Sequence, residues 1–177
     1  MLLMFLSNMS AHADRAMRPM KIHKLPELGL EIWTEYEPLW ITELHYRGKK
    51  PIFTVHSPPM VYPPAAMTVV SFPGMAVATD ELKDIATTAI AEGAKNYKVP
   101  ESELAGLHVI PALYGDLTGY EASFSGKVRG DAVDVKVFVG NKPGKGPVML
   151  QIYTLEGKLS HLSEQIRRSW TNVKYLK

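Results

Sequence analysis

GYEASFSGKV (Gly119–Val128), DAVDVKVFVG (Asp131–Gly140) and PVMLQIYTL (Pro147–Leu155) decide the reading of this chain. In the first, Tyr120, Ala122, Phe124 and Val128 share one side. In the second it is Val133, Val135, Val137 and Val139, and in the third Val148, Leu150 and Ile152. A period of two across three consecutive segments predicts an antiparallel meander with one buried face. Gly130 and Gly144 fall between the segments, where tight turns need a residue that accepts positive φ. Leu159, Leu162, Ile166 and Trp170 then recur at helical spacing, which predicts a helix over Gly157–Trp170 that covers the meander.

Upstream, Gly29–Tyr36, Trp40–Tyr46 and Pro51–His56 read as strands, with Arg47–Lys50 as the turn between the second and third. Pro58, Pro59, Pro63 and Pro64 remove backbone donors, so an extended proline loop is expected before a strand at Met67–Phe72. Thr79 followed by Asp80 and Glu81 marks a helix start. The stripe Leu82, Ile85, Ala86, Ala89, Ile90, Ala94 and Tyr97 carries the helix to Lys98, just before Pro100. A strand at Leu107–Leu113 precedes the meander. Segregated strands with two helices give an α+β class, an antiparallel sheet of about six to seven strands packed with two main helices. The expected organisation is a signal-peptide remnant over residues 1–13, a flexible segment over 14–28 and one domain over 29–177.

The chain has 177 residues and is 46% apolar, which suits one domain with a sizeable core. Its twenty basic and eighteen acidic residues leave a formal charge of +2 without long runs of one sign, so nucleic acid is not an expected partner. Cysteine is absent, which excludes thiol catalysis, disulfides and thiolate metal sites. Residues 1–13 carry no Lys, Arg, Asp or Glu: an apolar run at Leu2–Leu6 leads to Ala11-His12-Ala13. Small residues at the first and third positions of that tripeptide match a signal-peptidase site. A periplasmic or secreted product beginning at Asp14, with no transmembrane segment, is therefore expected.

Candidates for chemistry are few. Glu43, His45 and His56 lie on the two strands joined at Gly48, and Met60 follows closely. Such a set would suit zinc, or with Met67 and Met75 copper(I), or would supply a base. His161 and Glu164 are spaced to meet on a helix face. Gly140–Pro147 has the glycines and lysines of a phosphate loop but lacks the Ser or Thr and the following helix, so a hairpin is expected there. Arg129-Gly130-Asp131 likewise reads as a hairpin tip, and no Gly-x-Ser-x-Gly elbow occurs. Trp33, Trp40 and Tyr62, beside rigid proline, form the candidate partner-binding surface, because aromatic side chains lose little entropy on binding.

Pro38-Leu39-Trp40 after an alternating strand, the helix at Thr79–Lys98, the long meander and a closing helix ending Ile166-Arg167-Arg168-Ser169-Trp170 together resemble the Mog1/PsbP-like α/β/α sandwich superfamily. The resemblance covers most of Gly29–Leu176. It implies the company of proteins that bind a small GTPase, attach to photosystem II, or are small exported bacterial proteins of unknown function. The expectation is thus a small soluble exported protein, not an enzyme and without a cofactor. It would act as a binding or accessory factor in the bacterial envelope, its partner a protein or an envelope component. The alternative is a metal-binding protein or metal-dependent enzyme using His45 and His56 with Glu43 or Met60.

Overall fold

The computed structural model describes residues 19–75, 77–78 and 80–177. The elements are β1 (Met20–Leu25), β2 (Leu30–Glu35), β3 (Ile41–Arg47), β4 (Lys50–His56), β5 (Ala65–Ser71), α1 (Leu82–Asn96), a single turn α2 (Glu101–Leu104), β6 (Ile110–Tyr114), β7 (Leu117–Val128), β8 (Asp131–Asn141), β9 (Val148–Leu155), a 3-10 turn at Leu159–Leu162, α3 (Ser163–Trp170) and β10 (Lys174–Tyr175). Seven strands form one antiparallel sheet in the order β3-β4-β5-β9-β8-β7-β6. A smaller sheet has the order β1-β2-β10. The α+β class read from the sequence is the observed one.

The meander is present at β7, β8 and β9, and its turn chemistry is as expected. Arg129 and Gly130 both take positive φ, 54° and 99°, which matches the twist of a two-residue hairpin. The single buried face is not what forms. Val137 pairs with Gln151 and Phe138 with Leu150, so the valines of β8 share a side with Met149 and Tyr153. Val148, Leu150 and Ile152 point the other way, together with Phe138. Both faces of the central strands are therefore buried, and the molecule has three layers. Alternation along one strand cannot reveal this, because it does not say which face of the neighbour it matches.

On one side, α1 packs Ala86, Ile90 and Ala94 against Ala122 of β7 and Val133, Val135, Val137 and Val139 of β8. The helix ends in a C-terminal motif with Lys98 at φ 60°, where Lys98 N–H donates to the Lys95 carbonyl and Val99 N–H to that of Ala94. The helix, Leu82–Asn96, is shorter than the predicted Thr79–Lys98, and Thr79 itself lies outside the described residues. On the other side, Leu25, Leu30 and Ile32 of the small sheet and Ile166 and Trp170 of α3 bury Phe138, Leu150 and Ile152. Each such aliphatic side chain, fully buried, contributes about 1.5–3 kcal/mol. Polar bonds join these layers: Ser71 Oγ donates to the Leu28 carbonyl at 2.5 Å and Ser169 Oγ to that of Trp33 at 2.6 Å.

Three further differences have physical reasons. The segment over 14–28 was expected to be flexible, yet Met20–Leu25 pair with β2 along their whole length, and residues 14–18 lie outside the described residues. Lys21 and Lys24 are both exposed, on opposite faces of the strand, while Leu25 enters the core, so the basic composition hides an edge strand. The strand expected at Leu107–Leu113 forms at Ile110–Tyr114, set by its pairing to β7. The closing helix is split, because Leu159–Leu162 tighten into a 3-10 turn before α3 begins.

Candidate functional site

Toward the β6 end of the large sheet, the face that carries Phe138 turns polar. Glu121 and Ser123 of β7 and Lys136 of β8 occupy inward positions there, since Ser123 pairs with Lys136 and Glu121 with Phe138. Tyr114, the last residue of β6, is fixed by edge-on contacts to the rings of Phe138 (4.9 Å) and Trp170 (5.1 Å). Its hydroxyl donates to Glu121 Oε2 at 2.6 Å. Lys136 Nζ donates to Glu121 Oε1 at 2.7 Å and to the Tyr114 hydroxyl at 3.3 Å. The side chains of Lys136 and Glu121 are only 20% and 14% exposed, so this pair is shielded from salt and water.

A cleft of about 430 Å³ opens between this cluster, the 3-10 turn and α3. Ser123, Ser160 and Ser163 line it with hydroxyls, and Leu159 and Ile166 supply apolar walls. Ser163 Oγ donates to the Ser160 carbonyl at 2.7 Å. At the rim, Arg167 makes a two-pronged contact with Glu164, at 2.6 and 3.1 Å. Burial, and then the hydrogen bond to Glu121 and its charge, push the Tyr114 phenol well above its usual range. The phenol therefore stays a donor. Each charge in the cleft has an opposite partner, and the cleft offers hydrogen-bond donors and acceptors with little net charge.

The residues singled out in the sequence are placed as follows. Trp40 is 6% exposed and belongs to the core. Trp33 is half-buried on the outer side of β2, its indole N–H donating to Glu31 at 2.9 Å and the Lys174 ammonium standing 5.4 Å from its ring centre. Tyr62 is 71% exposed in the proline segment. The three therefore do not make one continuous contact face.

His45 pairs with Ile52 while His56 pairs with Ile41, four positions along β3 from His45, or about 13 Å at strand spacing. Among the described residues no group of three or more His, Asp or Glu side chains is placed to hold a metal ion. Met67 is buried, its sulfur accepting the Trp170 indole N–H at 3.2 Å, whereas Met60 is 81% exposed. Glu164 pairs with Arg167 in place of His161. Tyr114, Glu121 and Lys136 were not identified from sequence. The available signal was a pair of charges in the middle of strands whose neighbours are apolar on both sides.

A second groove, about 410 Å³ in volume, runs beside α1 and is largely apolar, lined by Phe72, Met75, Ile85, Ala89, Val139 and Met149. Among the described residues no helix is long and apolar enough to cross a membrane.

Comparison with known proteins places only the architecture. No family model matches the chain, and no curated protein matches it. The structure is similar to a crystal structure of a protein from Bacteroides thetaiotaomicron, with a TM-score of 0.60 and 10% sequence identity over 91% of this chain. The chain spans 50% of that protein's length. At that identity the likeness concerns the fold: an α+β arrangement of a seven-stranded antiparallel sheet, a three-stranded sheet and two main helices.

Proposed function

We propose that this protein works by binding, as a non-enzymatic accessory factor of the bacterial envelope, and that the Tyr114–Glu121–Lys136 cleft holds an uncharged, hydroxyl-rich ligand such as a saccharide unit. The observation that carries this reading is the mutual pairing of the cluster. Both Glu121 oxygens already accept bonds, the ammonium of Lys136 is held by a carboxylate, and Tyr114 is kept protonated. Glu121 and Lys136 are bonded to one another and the Tyr114 hydroxyl is tied to both, which suits a fixed binding wall more than a group that must give up or take a proton. Serine hydroxyls over apolar walls suit sugar hydroxyls, which both donate and accept, and the volume lies in the usual range for small-ligand sites. Export is supported by the apolar run at Leu2–Leu6 and the Ala11-His12-Ala13 site, which lie outside the described residues. The resemblance to the Mog1/PsbP-like superfamily supports an accessory role, as an analogy of fold.

The test is an amide-resolved NMR titration of the chain from Asp14 with glucose, N-acetylglucosamine and soluble peptidoglycan fragments. Saturable shifts at Ser123, Lys136, Ser160 and Ser163, lost in Ser163→Phe, are the expected result. Chemical conversion of any of these probes, or shifts confined to other surfaces, overturns the reading.

A further inference from the structure

We propose that β3 is a self-complementary edge through which two copies of this chain pair, extending the seven-stranded sheet across a twofold axis at Leu44. Exposed sheet edges are usually blunted, and the other sheet edges among the described residues are. β6 carries Pro111, β1 carries the exposed charges Lys21 and Lys24, and β10 has two residues. β3 is seven residues long, has no proline, and leaves Ile41 and Tyr46 each 56% exposed.

Its hydrogen-bonding phase follows from the hairpin. Gly48 and Lys49 form a two-residue turn, so Arg47 and Lys50 are the closing pair that bonds across β3 and β4. By alternation Ile41, Glu43 and His45 also bond to β4. The N–H and C=O groups of Thr42, Leu44 and Tyr46 then point away from the sheet. An antiparallel copy centred on Leu44 brings those same residues into register: Leu44 meets its twin, and Thr42 of each copy meets Tyr46 of the other. All the outward backbone groups of the strand are satisfied in that register.

The side chains agree with it. On one face Glu43 of each copy falls opposite His45 of the other, giving two cross-strand pairs of a carboxylate acceptor and an imidazole donor, and the Ile41 side chain lies against the aliphatic stem of Arg47. On the other face Leu44 meets Leu44 beside Thr42 and Tyr46. Opposite-charge and aromatic cross-strand pairs are the contacts that stabilise sheets. Moving the axis by one residue to Glu43 sets two carboxylates directly opposite each other, which is unfavourable.

Sedimentation equilibrium of the native chain from micromolar to millimolar concentration tests the pairing, with circular dichroism confirming that each variant is folded. Glu43→Arg sets a donor-only guanidinium opposite the His45 imidazole in place of its carboxylate acceptor, and His45→Glu places two carboxylates opposite each other. Each variant alone is expected to weaken dimerisation by about tenfold or more. Mixed in equal amounts, the two variants restore both attractive pairs, and a mixed dimer at least as tight as the native one is expected. A native chain that remains monomeric at millimolar concentration, or a mixture no tighter than either variant alone, overturns the proposal.

Discussion

Tyr114 is held by three kinds of contact at once: ring edges against Phe138 and Trp170, a donated bond to Glu121 and an accepted bond from Lys136. Removing one partner at a time separates them. Tyr114→Phe keeps the ring contacts and loses the hydroxyl, so a cost of about 1 kcal/mol in urea unfolding is expected. Glu121→Ala costs more, about 2 kcal/mol, because it leaves the shielded Lys136 ammonium without its carboxylate. Titration adds a second expectation at this scale. Burial raises the phenols of Tyr97, Tyr114 and Tyr175 above the ordinary value of 10.0. The neutral phenol is favoured in the folded state, so the associated stability is complete below pH 10 and declines as pH rises beyond it. His23 behaves in the opposite sense. Burial first, and Lys21 second, lower its pKa from 6.5. Its contribution is complete above that value and is lost as pH falls through the lowered one. Chemical unfolding across pH should show both declines, and His23→Gln should flatten the acid side.

At the scale of elements, the end of α1 is locked to β7 at one point. Lys127 N–H donates to the Tyr97 carbonyl at 2.6 Å, and a Cβ placed on Gly126 would stand 2.7 Å from both Tyr97 Cβ and its carbonyl oxygen. Gly126→Ala therefore has to push helix and strand apart, and a loss of about 1–3 kcal/mol with a lowered melting temperature is expected. Nothing in the sequence announces that contact, since a glycine within an alternating strand reads equally as a bulge. The same limit governs what was legible elsewhere. β7, β8 and β9 were readable because glycine turns bound them and each alternates. Which face each presents was not, because Val137 opposite Gln151 is a fact of register between distant segments. β1 was hidden by Lys21 and Lys24, two exposed charges on opposite faces of an edge strand. The polar cleft was hidden for a related reason: Glu121 and Lys136 are spaced fifteen residues apart, and only the β7–β8 ladder makes them diagonal neighbours.

For the whole molecule, the three layers imply a gradient of stability across the large sheet. β8 and β9 are covered on one side by α1 or its adjoining side chains and on the other by the small sheet and α3. β3 and β6 sit at the edges, with Ile41, Tyr46 and Leu113 exposed. Opening a central strand requires both cores to separate, so its amides exchange only with global unfolding, whereas an edge strand opens locally at lower cost. Native-state hydrogen exchange is expected to rank the amides of Val135, Val137 and Leu150 slowest and those of β6 fastest. β3 then distinguishes a free edge from a paired one. Its outward amides at Thr42, Leu44 and Tyr46 should exchange rapidly in dilute solution and slow with rising protein concentration. Those at Glu43 and His45, already bonded to β4, should respond much less. A concentration dependence that fell equally on both sets would point to general stabilisation by association, and alternation between them is what pairing along the strand edge requires.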